Sequence, residues 1–212
     1  MQQKFLWLAT KHGSISCVQE FPLRLNPKTT ETSLPREKCL HATIITGHFH
    51  QNSNTDIGAG IMEHNLGALC GTWWSGDYCS DGTPNGYQVF EGKGDTITSY
   101  YKVTGKDRNY QLKIYPKGSV ADRPNAVVAK VWNWNPGWRV RWYEDGQLMG
   151  DMSQFYSFDP DYLQHLNGRR AVDDYAPRRT NHYFSATPSD NAKIIKIEVT
   201  DHYGKVYSEI MK

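Results

Sequence analysis

The sequence has no run approaching about 18 consecutive apolar residues, so no segment is expected to cross a bilayer as a helix. It has no excess of either charge. Twenty-four Lys and Arg oppose 22 Asp and Glu for a formal charge of +2, which gives nucleic acid or an anionic membrane no global electrostatic hold. Its four cysteines (Cys17, Cys39, Cys70 and Cys79) form no C-x-x-C pair, which argues against a structural zinc site. Cys70 and Cys79 could meet across a loop, but four scattered thiols do not establish an oxidising compartment, and free buried thiols are the simpler reading. The first residues, Met1 to Leu8, lack the apolar stretch and small-residue cleavage site of a signal peptide, so the chain as it stands reads as cytoplasmic. G-x-S-x-G, the P-loop and a Cys–His nucleophile pattern are all missing.

What is present is an ordinary globular composition over 212 residues, 38% hydrophobic and 22% charged, long enough to bury a core unaided. Aromatics reach 13%, with seven Trp and thirteen Tyr, beside 18 Gly and 10 Pro. That mixture favours short strands joined by tight turns and predicts a mainly β fold.

Along the chain, residues 2–11 read as a short amphipathic helix and residues 19–41, with Pro22, Pro27 and Pro35, as a loop. The β-branched run Ala42–Thr46 reads as a buried strand stopped by Gly47. After a glycine-rich patch, Tyr87–Phe90 and Thr96–Val103 predict a hairpin over Gly92–Asp95. From Tyr110 the rhythm is regular. Strands are predicted at Gln111–Tyr115, Val127–Trp134, Trp138–Glu144, Gln147–Met152, Tyr183–Ala186, Lys193–Thr200 and Lys205–Ile210, a spacing that fits a small antiparallel β-sandwich. Asp159 and Pro160 signal the cap and first turn of a short helix over Asp161–Leu166. The change of rhythm at Lys106–Asn109 divides the chain into residues 1–109 and 110–212.

The most specific local pattern is Gly47-His48-Phe49-His50, directly after the Ala42–Thr46 strand. Past a strand end the backbone can bend so that two imidazoles converge, and neutral imidazole is a good ligand for Zn, Mn, Fe or Ni. Taken alone the pattern is weak, and two surface histidines would satisfy it. It resembles, however, the last metal-binding motif of calcineurin-like metallophosphoesterases. The resemblance continues through Glu63-His64-Asn65-Leu66-Gly67-Ala68-Leu69-Cys70-Gly71-Thr72-Trp73-Trp74-Ser75-Gly76 and Asp81-Gly82-Thr83-Pro84-Asn85-Gly86-Tyr87. It extends to Val131–Trp134, Trp142–Gly146, Ala186–Pro188 and Val199–Tyr207, and covers about residues 40–212.

What the resemblance implies is a remnant of the family's α/β four-layer sandwich, residues 1–109, followed by a β-sandwich accessory domain, residues 110–212. It implies a small-molecule phosphate ester as substrate and a divalent metal pair (Mn, Fe or Zn), with His48 on one ion and His50 on the other. In the family the two ions, ~3.5–4 Å apart, activate and align the attacking water. The chain departs from that pattern. The family's D-x-H, G-D-x-x-D and N-H-D/E motifs do not occur before His48; Gly76-Asp77-Tyr78-Cys79-Ser80-Asp81 imitates the second but lies on the wrong side of the histidines. Glu20, in Gln19-Glu20-Phe21-Pro22, stands where the family has an upstream ligand histidine. Two imidazoles without carboxylates neutralise little of two dications, so the expectation is a C-terminal portion of a longer enzyme. It would lack an N-terminal catalytic half, bind little or no metal and be inactive alone.

Other features have a structural and a functional reading. Period-2 alternation places Trp132 with Trp134 on one face, and Trp138 with Trp142 on one face of the next strand. Buried, these rows are sandwich core; exposed, they would make the chain a non-catalytic β-sandwich module stacking on a glycan or docking a partner. Of Trp73 and Trp74, extended backbone would bury one and leave the other at a rim. Arg169-Arg170 and Arg178-Arg179 could grip a phosphate or close on the acids Asp173 and Asp174 between them. His64, His165, His182 and His202 have no partner at ligand spacing and read as structural.

Overall fold

The computed structural model describes residues 5–9, 15–19, 42–58, 61–74, 76–93, 96–167 and 176–212. The fold is mainly β, as the composition predicts. Strands β1 (Phe5–Ala9) and β2 (Ile15–Gln19) pair antiparallel, and β2 pairs antiparallel with β3 (Ala42–Thr46). Residues 5–9 are therefore strand, not the helix expected over 2–11. Short apolar runs fit either period, and here β2 supplies the pairing that decides. The loop predicted over 19–41 lies, past Gln19, outside the described residues.

Strands β4 (Ser53–Gly58) and β5 (Ile61–Asn65) pair antiparallel, and β5 runs parallel to β3, giving a mixed sheet in the order β1-β2-β3-β5-β4. Neither β4 nor β5 is legible in the sequence: Ser, Asn, Asp and Gly are poor strand formers, and β4 is an exposed edge held mainly by Asn54. The register pairs Asn65 with Thr46 on one side and Ser53 on the other. The connection over residues 47–52, which carries the two histidines, must therefore cross the C-terminal end of β5. A hairpin follows, β6 (Gly86–Lys93) and β7 (Thr96–Val103), in unbroken register.

The remaining strands are β8 (Leu112–Tyr115), β9 (Val127–Val131), β10 (Arg139–Glu144), β11 (Gln147–Asp151), β12 (Ser153–Ser157), β13 (Thr180–Ala186), β14 (Ile195–Thr200) and β15 (Val206–Met211). They form two antiparallel four-stranded sheets, β11-β10-β14-β15 and β12-β13-β9-β8. Leu112, Ile114, Val127, Ala129, Val131 and Phe184 of one sheet bury against Val140, Ile195, Ile197, Val199 and Tyr207 of the other, with Trp138 just before β10. The sandwich is thus as expected, with β12 added to the seven strands read from the sequence. At the β10–β11 hairpin Asp145 and Gly146 both take positive φ (46° and 89°), the requirement of the two-residue turn whose twist suits antiparallel strands. Helix α1 (Pro160–Leu166) starts on Asp159, whose carboxylate accepts from the Tyr162 amide at 2.7 Å.

Strand β9 stops at Val131 because Asn133 turns left-handed (φ 55°). Alternation therefore fails at Trp132 and Trp134. Trp132, 1% exposed, packs with Tyr101, Val103 and Tyr110, whereas Trp134 joins Trp138 and Trp142 at the sandwich core. These four tryptophans are packing residues.

Candidate functional site

Leaving β3, the chain reaches His48 (φ 85°) and His50 (φ 51°), both in the left-handed region that non-glycine residues seldom occupy. The two rings have different surroundings. His48 is exposed, its ring edge-on to Phe49 at 6.0 Å. His50 is half-buried and fixed. Its Nδ1 lies 2.7 Å from the Gly71 carbonyl, its ring stacks on Trp73 at 5.1 Å and 22°, and its own carbonyl accepts from the Ser80 amide at 2.9 Å. A carbonyl can only accept, so Nδ1 carries the proton and Nε2 keeps the lone pair. That tautomer, with a second partner on the other nitrogen, is the usual arrangement of a histidine that ligates through Nε2.

A buried polar network holds the histidine loop in place. The Asn54 amide donates to the Asn133 carbonyl at 2.8 Å and the Trp134 carbonyl at 3.0 Å, and its Oδ1 accepts from His64 Nδ1 at 2.5 Å. Burial, and secondarily His202, hold His64 down at a pKa of about 4, so it stays neutral and structural at neutral pH. Asp81 accepts from the amides of Asn52 (3.2 Å) and Thr83 (3.1 Å) and from the Thr83 hydroxyl (2.7 Å). The G-D-x-x-x-D imitation at 76–81 is therefore a loop-closing device, its Asp81 carboxylate taken up by Asn52 and Thr83.

Facing His50 is the turn 69–74. Trp74 N–H donates to the Cys70 carbonyl and Thr72 N–H to the Tyr78 carbonyl, at 3.0 and 2.8 Å. Gly71 (φ 56°) is obligatory because a Cβ there would lie 2.6 Å from the Gly76 carbonyl oxygen. Trp73 and Trp74 follow with φ 51° and 62°, and both are exposed, at 50% and 84%. The expectation that one would be buried is corrected, since in a left-handed turn side chains do not alternate. Phe49 and Leu69 are exposed as well. Burying a large apolar side chain is worth roughly 1.5–3 kcal/mol, so the loop leaves that stabilisation unused and adds backbone strain.

The sequence reading missed a second constellation beneath the same loop. Lys130, fully buried, donates from Nζ to Asp159 Oδ2 at 2.9 Å and to the Asp81 carbonyl at 2.6 Å. Tyr183 donates to the same Asp159 oxygen at 2.7 Å, and the Tyr115 hydroxyl lies 2.9 Å from Asp161 Oδ2, which also pairs with Lys113. Burial and the Asp159 charge drive the Tyr183 and Tyr115 phenols far upward. Burial, with Lys130 nearby, pushes His182 down to about 3. The signal in the sequence was one charge inside an otherwise apolar strand, Val-Val-Ala-Lys-Val, which almost always means a buried partner. Lys130 and Asp159 are buried and paired, whereas Lys113 and Asp161 at the margin are part-exposed and the buried His182 Nδ1 has no hydrogen-bond partner among the described residues.

The other candidates resolve as follows. Cys70 and Cys79 are free thiols, and burial raises Cys79 to about 12. Arg179 pairs with Asp122 at 2.8 Å, and the Arg178 amide donates to the Ser80 carbonyl. Arg169, Arg170, Asp173, Asp174, Glu20 and Cys39 lie outside the described residues, as do the surroundings of the Cys17 side chain. His165 stacks on Tyr162 and meets Tyr78 edge-on, and His202 packs against Trp138.

Among the described residues no group of three or more His, Cys, Asp or Glu is placed to hold a metal ion. Two neutral imidazoles alone do not fit a pair of dications, which need anionic and bridging ligands. No helix among the described residues is long and apolar enough to cross a membrane.

A family model described as the C terminal of Calcineurin-like phosphoesterase matches residues 63–207. Comparison with curated proteins and with solved structures gives no match. The matched span starts inside β5, after the histidine loop and β4 and so without His48 and His50, and runs through the turn 69–74, the hairpin and the sandwich into β15. By that match this chain belongs to the family of calcineurin-like phosphoesterase C-terminal domains.

Proposed function

We propose that the chain is the C-terminal part of a metal-dependent hydrolase of small-molecule phosphate esters, in which His48 and His50 each give an imidazole to one of two divalent ions (Mn, Fe or Zn). On this reading residues 1–109 end the catalytic sheet, residues 110–212 are its accessory sandwich, and the acidic and bridging ligands come from a catalytic half not among the described residues. The observation that carries it is His50: Nδ1 bound to the Gly71 carbonyl, Nε2 left as acceptor, at the C-terminal edge of the parallel pair β3/β5. Without carboxylates the chain binds metal weakly and turns over no ester. The rival reading, a glycan-binding sandwich, needed an exposed row among Trp132, Trp134, Trp138 and Trp142, and those rings serve the core.

The test is Mn²⁺ titration followed by NMR, with p-nitrophenyl phosphate and bis-p-nitrophenyl phosphate as substrates. Selective paramagnetic broadening of the His48 and His50 ring signals, lost in His50→Ala, is expected, with no turnover. Absence of broadening overturns the ligand assignment, and Mn²⁺-dependent turnover abolished by His48→Ala overturns the inactivity of the chain alone.

A further inference from the structure

The aromatic turn beside His50 has a feature that packing does not explain. Two consecutive tryptophans are held outward on a turn fixed by its own backbone hydrogen bonds, and the inner one stacks on the histidine assigned to the metal with the ring planes 22° apart. Gly76 (φ 150°) follows the turn and lies so close to His165 that a Cβ there would fall 2.2 Å from the ring. A pair of exposed indoles beside a histidine assigned to the metal suits an ester whose alcohol carries a ring, because a base stacks on indole through its π-face and a sugar through its C–H face.

Resting on the phosphoesterase reading, we propose that Trp73 and Trp74 form the recognition wall for the alcohol portion of the substrate, and that the substrate class is a phosphate ester of a ring-bearing alcohol, either a nucleoside or a sugar. Trp73 has two tasks: it backs His50 and, with Trp74, presents indole surface to the ligand. The wall needs no metal to bind a ring, so it is testable on this chain as it exists.

The experiment follows the indole N–H resonances of Trp73 and Trp74, assigned by their loss in Trp73→Ala and Trp74→Ala. The titrants are adenosine 5′-monophosphate, glucose 1-phosphate, sn-glycerol 3-phosphate and inorganic phosphate. Stacking of this kind gives at least about tenfold tighter binding for a ring ester than for glycerol phosphate, with both indoles shifting, and Trp74→Ala removes most of the gain. Preference for the nucleotide or for the sugar phosphate identifies the source of the ring. Equal binding of all four, or indole signals that stay still, overturns the proposal. The Mn²⁺ broadening at His48 and His50 is read on the same sample. Broadening with unmoved indoles therefore fails the substrate class alone, whereas missing broadening fails the phosphoesterase reading beneath it.

Discussion

The loop from Leu66 to Asn85 touches two constellations. At Asp81 and Gly82 it meets Lys130 and Asp159, which are buried and paired, and a Cβ on Gly82 would lie 2.0 Å from the Asp159 side chain. At Gly71 and Trp73 it meets His50, where two residues of each segment are strained and two indoles stand in solvent. The same stretch of chain is anchored at one end and strained at the other. Strained backbone persists only where its surroundings over-determine it, and the buried node is what does so here. The two ends should therefore respond to substitution in opposite ways.

The largest effect is expected at the node. Lys130→Met keeps the stem but leaves the Asp159 carboxylate, about 1% exposed, without its cation. Breaking one side of a buried pair costs about 3–5 kcal/mol, read as a lower urea midpoint at unchanged slope. Loss of the His50–Trp73 contact should accompany it, visible in the NMR signals of the histidine loop. A loss below about 1 kcal/mol would mean that the node is not what holds the loop, and the contrast would collapse.

Acid should act next in size, through His64. Its folded pKa of about 4 lies below the ordinary 6.5, so it is neutral in both states above that value and adds no pH dependence there. As pH falls from 6.5 towards 4 the unfolded chain takes up a proton that the folded chain refuses, so stability declines, by up to about 1.4 kcal/mol per pH unit. His182, held down at about 3, extends the decline to lower pH. In His64→Gln the pH slope of the unfolding free energy, from urea titrations, should flatten by up to that amount between about pH 6 and 4.5. Parallel slopes for the two proteins would show that His64 is not held neutral by burial.

The sequence disclosed the parts of this fold that rest on period and punctuation. β14 alternates buried and half-buried residues, the Asp145-Gly146 turn uses the residues its geometry demands, and Asp159 with Pro160 marks the start of α1. It did not disclose what depends on distant partners. β1 looks helical until β2 is beside it, β4 is polar because its pairing to β5 and one buried asparagine hold it, and Trp132 and Trp134 part company because Asn133 turns left-handed. The site divided the same way. His48 and His50 were legible as a motif, but the Gly71 carbonyl and the Trp73 ring that distinguish one from the other are 21 and 23 positions further along the chain than His50. Lys130 and Asp159 stood in plain view as a lone charge and a helix cap, and only folding makes them one object.

The smallest effect is expected at the rim, and it is the most exacting. Trp74 is 84% exposed, so Trp74→Ala forfeits almost no buried area, and a surface change away from such features stays within about 0.5 kcal/mol. Its positive φ of 62° is as awkward for Ala as for Trp, so backbone strain cancels in the difference. Trp74→Gly relieves that strain and should raise the urea midpoint slightly, an outcome opposite in sign to the usual cost of glycine in ordered structure. Were Trp74→Ala to cost more than about 1 kcal/mol, the indole would be a packing residue, and the turn would belong with the node instead of opposing it. A stable Trp74→Ala beside a more stable Trp74→Gly would show that the chain tolerates both the strain and the exposure at this turn for a reason other than its own folding.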